Sequence, residues 1–413
     1  MKTPHFLRAL SSRNYRIYFG GQCVSLLGSW MTTTASFWLV YHLSSNPVYV
    51  GLVVFANQIP VLLLAPFAGV WLDRADRLRV MQATQLLSMV QSAALALLTL
   101  TGHITVARMI GLCLFQGFIN GFDWPVRQTL TFELVDDKSH VENVVALNSI
   151  TFSGARLIGP AIAGFVIAGF GPGACYAVDA LSFLGVLAAL LSLRLTPRPP
   201  RLTASHPVAE LREGIRYAWG VPTIRTTLLM VPVISLVGFV HVVLAPVFAR
   251  DVFFGDARLL GFLMAATGVG ALLAGLFLSM RPRGTHFTRV IAAGAALGGG
   301  GLLLLGASPW LPLALFSMMA AGAGGVLVMA SGNSLLQTLV PDDKRGRVMS
   351  LFSMGQVTFP LGSLLAGYAA AAAGPRPTVA ACGAICLAAA AVYARNSRAP
   401  GVQSALRQVS SIK

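Results

Sequence analysis

Residues 195–220 read LTPRPPRLTASHPVAELREGIRYAWG and form the one long polar interruption in an otherwise apolar chain. On either side the sequence runs in apolar stretches of roughly 20 residues or more, long enough to cross a bilayer as helices. Six precede the interruption, at about 14–42, 47–70, 79–101, 105–133, 140–168 and 172–194. Six follow it, at about 222–248, 256–280, 287–307, 311–338, 346–371 and 375–395. The fold class is therefore an all-α membrane protein with twelve transmembrane helices in two pseudo-symmetric halves. The expected divisions are a bundle at 1–195, a cytoplasmic linker at 196–220, a bundle at 221–395 and a cytoplasmic tail at 396–413.

Composition excludes the alternatives. Of 413 residues, 55% are hydrophobic and 11% charged, and the mean hydropathy is +0.72. So few charges cannot cover the surface of two or three soluble domains. A β-barrel is excluded because its strands alternate in polarity and are about half as long as these runs. The start, MKTPHFLRALSSRNYRIYF, lacks the apolar core and cleavage site of a signal peptide, so the first span is expected to stay in the protein. All five cysteines lie in apolar runs. Cys382 and Cys386 share a helix face but read as packing thiols, and no metal is expected.

Of the 30 lysines and arginines, 24 fall in or beside one set of loops and the termini. Four (Arg108, Arg250, Arg258, Arg376) fall on the opposite side, and two (Arg127, Arg156) lie inside spans. That bias places both termini in the cytoplasm. The net charge of +16 then reflects topology, and basic residues scattered over every inner loop give no reason to invoke a nucleic acid. The halves echo each other: LVDDKSH after span 4 matches LVPDDKRGR after span 10, with Asp136 and Asp342 206 residues apart. Gly69 and Gly275 are separated by the same step of 206. Parallel repeats of this kind put the binding site near the bilayer midplane between the halves.

Three spans carry polar stripes. Gln22, Ser25, Ser29 and Thr33 share a face of span 1; Gln116, Asn120, Asp123 and Arg127 do so on span 4; Ser149, Ser153, Arg156 and Pro160 on span 5. An ionisable group in lipid costs several kcal/mol, roughly 3 for an arginine at a helix centre, so it must find water or a partner. These faces are therefore expected to line a hydrated path, although serine and threonine also serve as interhelical glue. By depth, Asp179 in span 6 is placed to meet Arg156. Asp123, Asp179, Arg127 and Arg156 are the proton-coupling candidates. Trp30, Asn57, Gln58, His241, Asn333, Gln337 and Gln356 complete the candidate lining of a substrate cavity. His241 titrates in the useful range, but a single histidine in a span is more often a hydrogen-bonded core residue.

Between spans 2 and 3 the chain reads GVWLDRADRLRVM. Gly69, Asp73, Arg74 and Arg77 resemble motif A of the major facilitator superfamily, with Asp76 where a glycine is usual. In that family the aspartate lies against the start of span 11 and latches the inner gate, as suits a carboxylate at a helix N-terminus. In the second half Ser279 takes the aspartate's place. The run GARLIGPAIAG resembles motif C, the exporter-associated pattern, through Gly159, Pro160 and Gly164, with Ala155 at an earlier glycine position. The runs LGSW (27–30), FDWPVRQTL (122–130) and RGRVMSLFS (345–353) resemble the branch of macrolide-efflux proteins and enterobactin exporters. The resemblance spans about 8–395 and implies export of an amphipathic drug or siderophore in exchange for protons. The implied setting is a bacterial cytoplasmic membrane, with membrane lipids and a small organic substrate as partners and a monomer as the working unit.

No cofactor is expected beyond the proton gradient, and no enzymatic activity. None of the four lysines follows a glycine, as a phosphate-binding loop requires. Import of an organic anion or movement of a lipid remains open on the same fold, and so does a non-transporting receptor.

Overall fold

The computed structural model describes residues 5–72, 75–135, 140–193, 207–281 and 287–397. Helices dominate, and no strand occurs among the described residues. In chain order they are α1 (Arg13–Ser44), α2 (Pro47–Leu72), α3 (Arg77–Leu100), α4 (Val106–Glu133), α5 (Val141–Phe170) and α6 (Pro172–Ser192). An amphipathic helix α7 (Pro207–Gly220) follows, then α8 (Pro222–Val233), α9 (Val240–Val247), α10 (Ala257–Ser279), α11 (Phe287–Ala307) and α12 (Leu311–Leu339). The chain finishes with α13 (Asp342–Gln356), α14 (Phe359–Ala373) and α15 (Pro375–Ser397).

Eleven segments are long and apolar enough to cross a membrane by length and composition. The twelfth expected span is α4, which runs 28 residues but is diluted by Gln116, Asn120, Asp123 and Arg127. Span 7 is not one continuous α-helix. Residues Pro222–Val252 pass from α8 through a π-helical turn, Ile234–Gly238, into α9 and then into a second, Phe248–Val252. Pro232 and Pro246 lie just before these turns, and a proline removes a backbone donor from the regular ladder. Span 11 is likewise broken after Gln356, where Thr358 Oγ1 donates to the Pro232 carbonyl at 3.0 Å.

Local chemistry sets the helix ends. Asp76 caps α3, accepting from the Leu78 and Arg79 amides at 3.0 and 3.3 Å. An aspartate where motif A usually has glycine thus starts the helix. Thr105 caps α4 through the Arg108 amide, and Gly171, at φ 79°, closes α5 in a conformation few other residues take up.

The chain forms two compact units. The first comprises Met1–Thr203 and Ala249–Ala265. In it α1 packs on α5 and α6, α3 on α4 and α6, and α2 on α4. Its apolar floor gathers Tyr15, Tyr18, Met81, Leu130, Leu134 and Leu190. The segment after span 7 joins this unit through Arg250, whose guanidinium stacks over Tyr41 and donates to Ser45 Oγ at 3.1 Å, while the Tyr41 hydroxyl donates to Asp251. The second unit comprises Ala204–Phe248 and Ala266–Lys413. There α11 packs on α12 and α15, and α7 and α8 pack on α13.

Candidate functional site

The ionisable groups inside the first unit fall into three separate settings. The first is Asp123 on α4, 6% exposed. Its Oδ1 accepts from Thr84 Oγ1 at 2.8 Å and Gln85 Nε2 at 2.7 Å, both on α3. Its Oδ2 accepts from Arg127 Nε at 3.0 Å and Nη2 at 2.6 Å, one helical turn away. Every lone-pair direction is taken, as a buried ion pair requires. The rest of the α4 stripe faces the same way: Gln116 Nε2 donates to Ser88 Oγ at 3.1 Å and to Asn120 Oδ1 at 3.0 Å. The stripe read from α4 therefore knits α4 to α3.

The second setting is Asp179 on α6, 2% exposed. Its Oδ2 accepts from Thr32 Oγ1 at 2.9 Å on α1 and Ser92 Oγ at 2.8 Å on α3. Its Oδ1 has no hydrogen-bond partner and no cation forms a salt bridge with it among the described residues. A Cβ on Gly28 would stand 2.6 Å from that oxygen, so the glycine keeps the approach open. The third setting is Arg156 on α5. Its guanidinium lies 5.8 Å from the centre of the Trp30 ring, and Trp30 meets Phe152 edge to face at 5.8 Å. No carboxylate pairs with Arg156 among the described residues.

Asp179 and Arg156 do not meet, contrary to the expectation from depth. They touch α1 at Thr32 and Trp30, and two positions apart on an α-helix is a rotation of about 200°. Thr32 faces α3 and α6, and Trp30 faces α5. The span 1 stripe divides accordingly. Ser25 and Gln22 are buried, while Ser29 and Thr33 donate to the carbonyls four residues back in their own helix. Ser149 does the same, and Ser153 is half-buried.

A fourth stripe escaped the reading of the sequence. Thr84, Gln85, Ser88, Gln91 and Ser92 are all buried on α3, and this helix supplies ligands to both aspartates. Their spacing was visible, but without a charge they resemble ordinary glue. Around them Tyr18 Oη, both amide atoms of Gln22, Gln85 Oε1 and Gln116 Oε1 have no partner among the described residues. Buried polar atoms are nearly always paired, so this interior can take further polar atoms.

The other candidates are scattered. Asn57 and Gln58 are half-buried on α2, with Asn57 Nδ2 reaching the Cys113 carbonyl at 3.5 Å. His241 is fully buried with Nδ1 3.1 Å from the Gly238 carbonyl. Gln337 donates to Asn333 at 2.6 Å, and Gln356 is exposed. Gly69 lies in the last turns of α2 and Arg77 opens α3, where it pairs with Glu133 at 2.5 Å; Asp73 and Arg74 lie outside the described residues. Gly159 admits Trp30, since a Cβ there would stand 2.6 Å from the Trp30 Cβ. Pro160 and Gly164 pack against Gly261 and the Ala257 carbonyl.

Known proteins resemble this chain. Residues 6–412 match the family described as transmembrane secretion effectors. The chain is 27% identical to the staphyloferrin A transporter of Staphylococcus aureus, covering 85% of this chain and 88% of that one. It is 28% identical to the multidrug efflux pump Tap of Mycolicibacterium fortuitum, again over 85% and 88%. It is also 28% identical to the enterobactin exporter EntS of Escherichia coli, over 70% and 69%. Among solved structures, a bacterial homologue of the iron transporter ferroportin superposes with a TM-score of 0.68 at 16% identity, covering 94% of this chain and 99% of that one. A bacterial homologue of the lysosomal transporter Spinster gives a TM-score of 0.71 at 14% identity, over 95% and 97%.

Proposed function

The chain belongs to the transmembrane secretion effector family of the major facilitator superfamily, and on that premise we propose that it exports an anionic or zwitterionic amphipathic molecule in exchange for protons. The cargo class is a siderophore or drug, as in the staphyloferrin A, enterobactin and Tap relatives. The working cycle is alternating access in a bacterial cytoplasmic membrane, with both termini inside and no energy source but the proton gradient.

One observation carries the reading: Asp179 is buried with hydroxyl donors alone and one unpartnered oxygen. A proton can join it without breaking an ion pair. Asp123 differs, because protonating it would break its ion pair and leave the half-buried Arg127 without its counter-ion. Asp179 is therefore assigned the coupling proton and Asp123 a fixed structural charge. Arg156, backed by Trp30 and Phe152, supplies a cation and aromatic faces to the cargo.

The test is proton-driven efflux from oriented vesicles. Asp179→Asn keeps the shape and the hydroxyl contacts but is expected to uncouple transport from the pH gradient, leaving counterflow intact. Asp179→Asn vesicles that still couple fully would remove the assignment. Import, which the unpaired arginine would equally serve for an organic anion, is distinguished by the direction of substrate movement in the same vesicles.

A further inference from the structure

The linker helix α7 is not a free connector. Gly214, Tyr217, Ala218 and Val221 turn toward α13 and α8: Ala218 is fully buried beside Ile224, Val340, Val348 and Phe352. Glu213 pairs with Arg347 at 2.5 Å, and Lys344 stacks 4.7 Å over the Tyr217 ring. A Cβ on Gly214 would stand 3.0 Å from Arg347 Cβ, so the two helices touch closely. The docked face fixes the rotation of α7.

The opposite face holds Arg212, Ile215, Arg216 and Trp219, spaced at three, one and three residues and so on one side of the helix. All four are exposed, Ile215 at 41% and Trp219 at 56%. One residue, Val221, separates α7 from α8, which opens the membrane span Pro222–Val252. The chain must enter the hydrocarbon just past Trp219, so this face sits at headgroup level. Tryptophan prefers that level, and an arginine-bearing amphipathic helix in the interface attracts anionic lipid. Arg225, in the first turn of α8, adds a third cation where the span begins. Among the described side chains no acidic one shares the exposed face; Glu213 lies at its flank, paired with Arg347.

The geometry points to a binding site for anionic phospholipid on the exposed face of α7, with Arg212 and Arg216 on the phosphate and Trp219 and Ile215 at the acyl boundary. Near a charged bilayer each arginine contributes about fivefold in lipid preference. Removing both should therefore lower the preference by at least an order of magnitude.

Full-length protein in nanodiscs tests this, with brominated phosphatidylglycerol or brominated phosphatidylcholine diluted into unlabelled phosphatidylcholine. The difference in emission between wild type and Trp219→Phe isolates the Trp219 signal from the other five tryptophans. Brominated phosphatidylglycerol should quench that signal far beyond its bulk mole fraction, and brominated phosphatidylcholine only in proportion to it. Arg212→Gln with Arg216→Gln should return the phosphatidylglycerol value to the bulk proportion. Trp219 emission quenched by aqueous iodide and by neither lipid would overturn the site, placing the face in water or against a protein. Preferential quenching that survives the double substitution would overturn the role of the arginines.

Discussion

Set side by side, the two units bury different chemistry. In the first, Asp123, Asp179, Gln22, Gln85 and Gln91 are buried along with hydroxyls. In the second, the buried polar side chains among the described residues are serines, threonines and His241, with no carboxylate or guanidinium among them. The second unit holds together chiefly where backbones touch. A Cβ on Gly322 would collide with the Thr267 carbonyl, and one on Gly362 with that of Leu236. In lipid, where helices gain nothing from hiding apolar surface, small residues and hydrogen bonds hold a bundle together. The second unit relies on the former. The first adds groups whose charge can change, which is what coupling to an ion requires.

The largest effect should come from breaking the Asp123–Arg127 ion pair. Arg127→Ala leaves Asp123 buried without its cation, and such half-pairs cost about 3–5 kcal/mol. Thermal or denaturant unfolding in detergent would show it. Replacing both by leucine should cost less than the single cut, because the pair's attraction largely offsets its desolvation and what is lost is the acceptor for Thr84 Oγ1 and Gln85 Nε2. A matching cut in the second unit, Ser317→Ala, removes only a hydroxyl that donates to the Leu313 carbonyl of its own helix, and should cost about 1 kcal/mol or less. If Arg127→Ala proves no worse than Ser317→Ala, the contrast between the units is wrong.

A second cut works from the other side. Gly322→Val forces a branched side chain against the Thr267 backbone, and overpacking of this kind costs about 1–3 kcal/mol. Gly300, with nothing within 4 Å of a would-be Cβ, is its control: alanine there should stabilise α11 by about 0.5–1 kcal/mol. Equal effects at the two glycines would mean that backbone contact does not hold the second unit together.

Much of this was legible in the sequence, and the failures have a common cause. Apolar run length gave the spans, because it is a property of one helix at a time. The α4 stripe was legible for the same reason. Which neighbour a stripe faces was not. Asp179 and Arg156 stand at similar depth, yet rotation about α1 sends them to opposite sides of it. Depth follows from counting residues, whereas rotation follows from close approaches such as Gly28 on Asp179 and Gly159 on Trp30. The π-helical turns of span 7 had only Pro232 and Pro246 as a trace. The face of α7 bearing Trp219 was hidden because the linker read only as polar.

The smallest expected effect concerns Arg156, and it sharpens the comparison within the first unit. Arg127 and Arg156 are both arginines inside spans, but only one has a carboxylate. Arg156→Gln removes a cation–π contact worth about 0.5–2 kcal/mol and leaves no buried charge behind. Its unfolding midpoint should therefore shift far less than that of Arg127→Ala. Its consequence belongs to binding: affinity for an anionic ligand should fall, measured by equilibrium binding to detergent-solubilised protein, while affinity for a neutral analogue holds. Arg156→Lys keeps the charge but loses the flat guanidinium over Trp30, so it should recover part of the anionic affinity. A lysine variant no better than glutamine would show that planar stacking, not charge, is what the site uses; a glutamine variant as unstable as Arg127→Ala would mean that Arg156 holds the bundle together and does not meet the cargo.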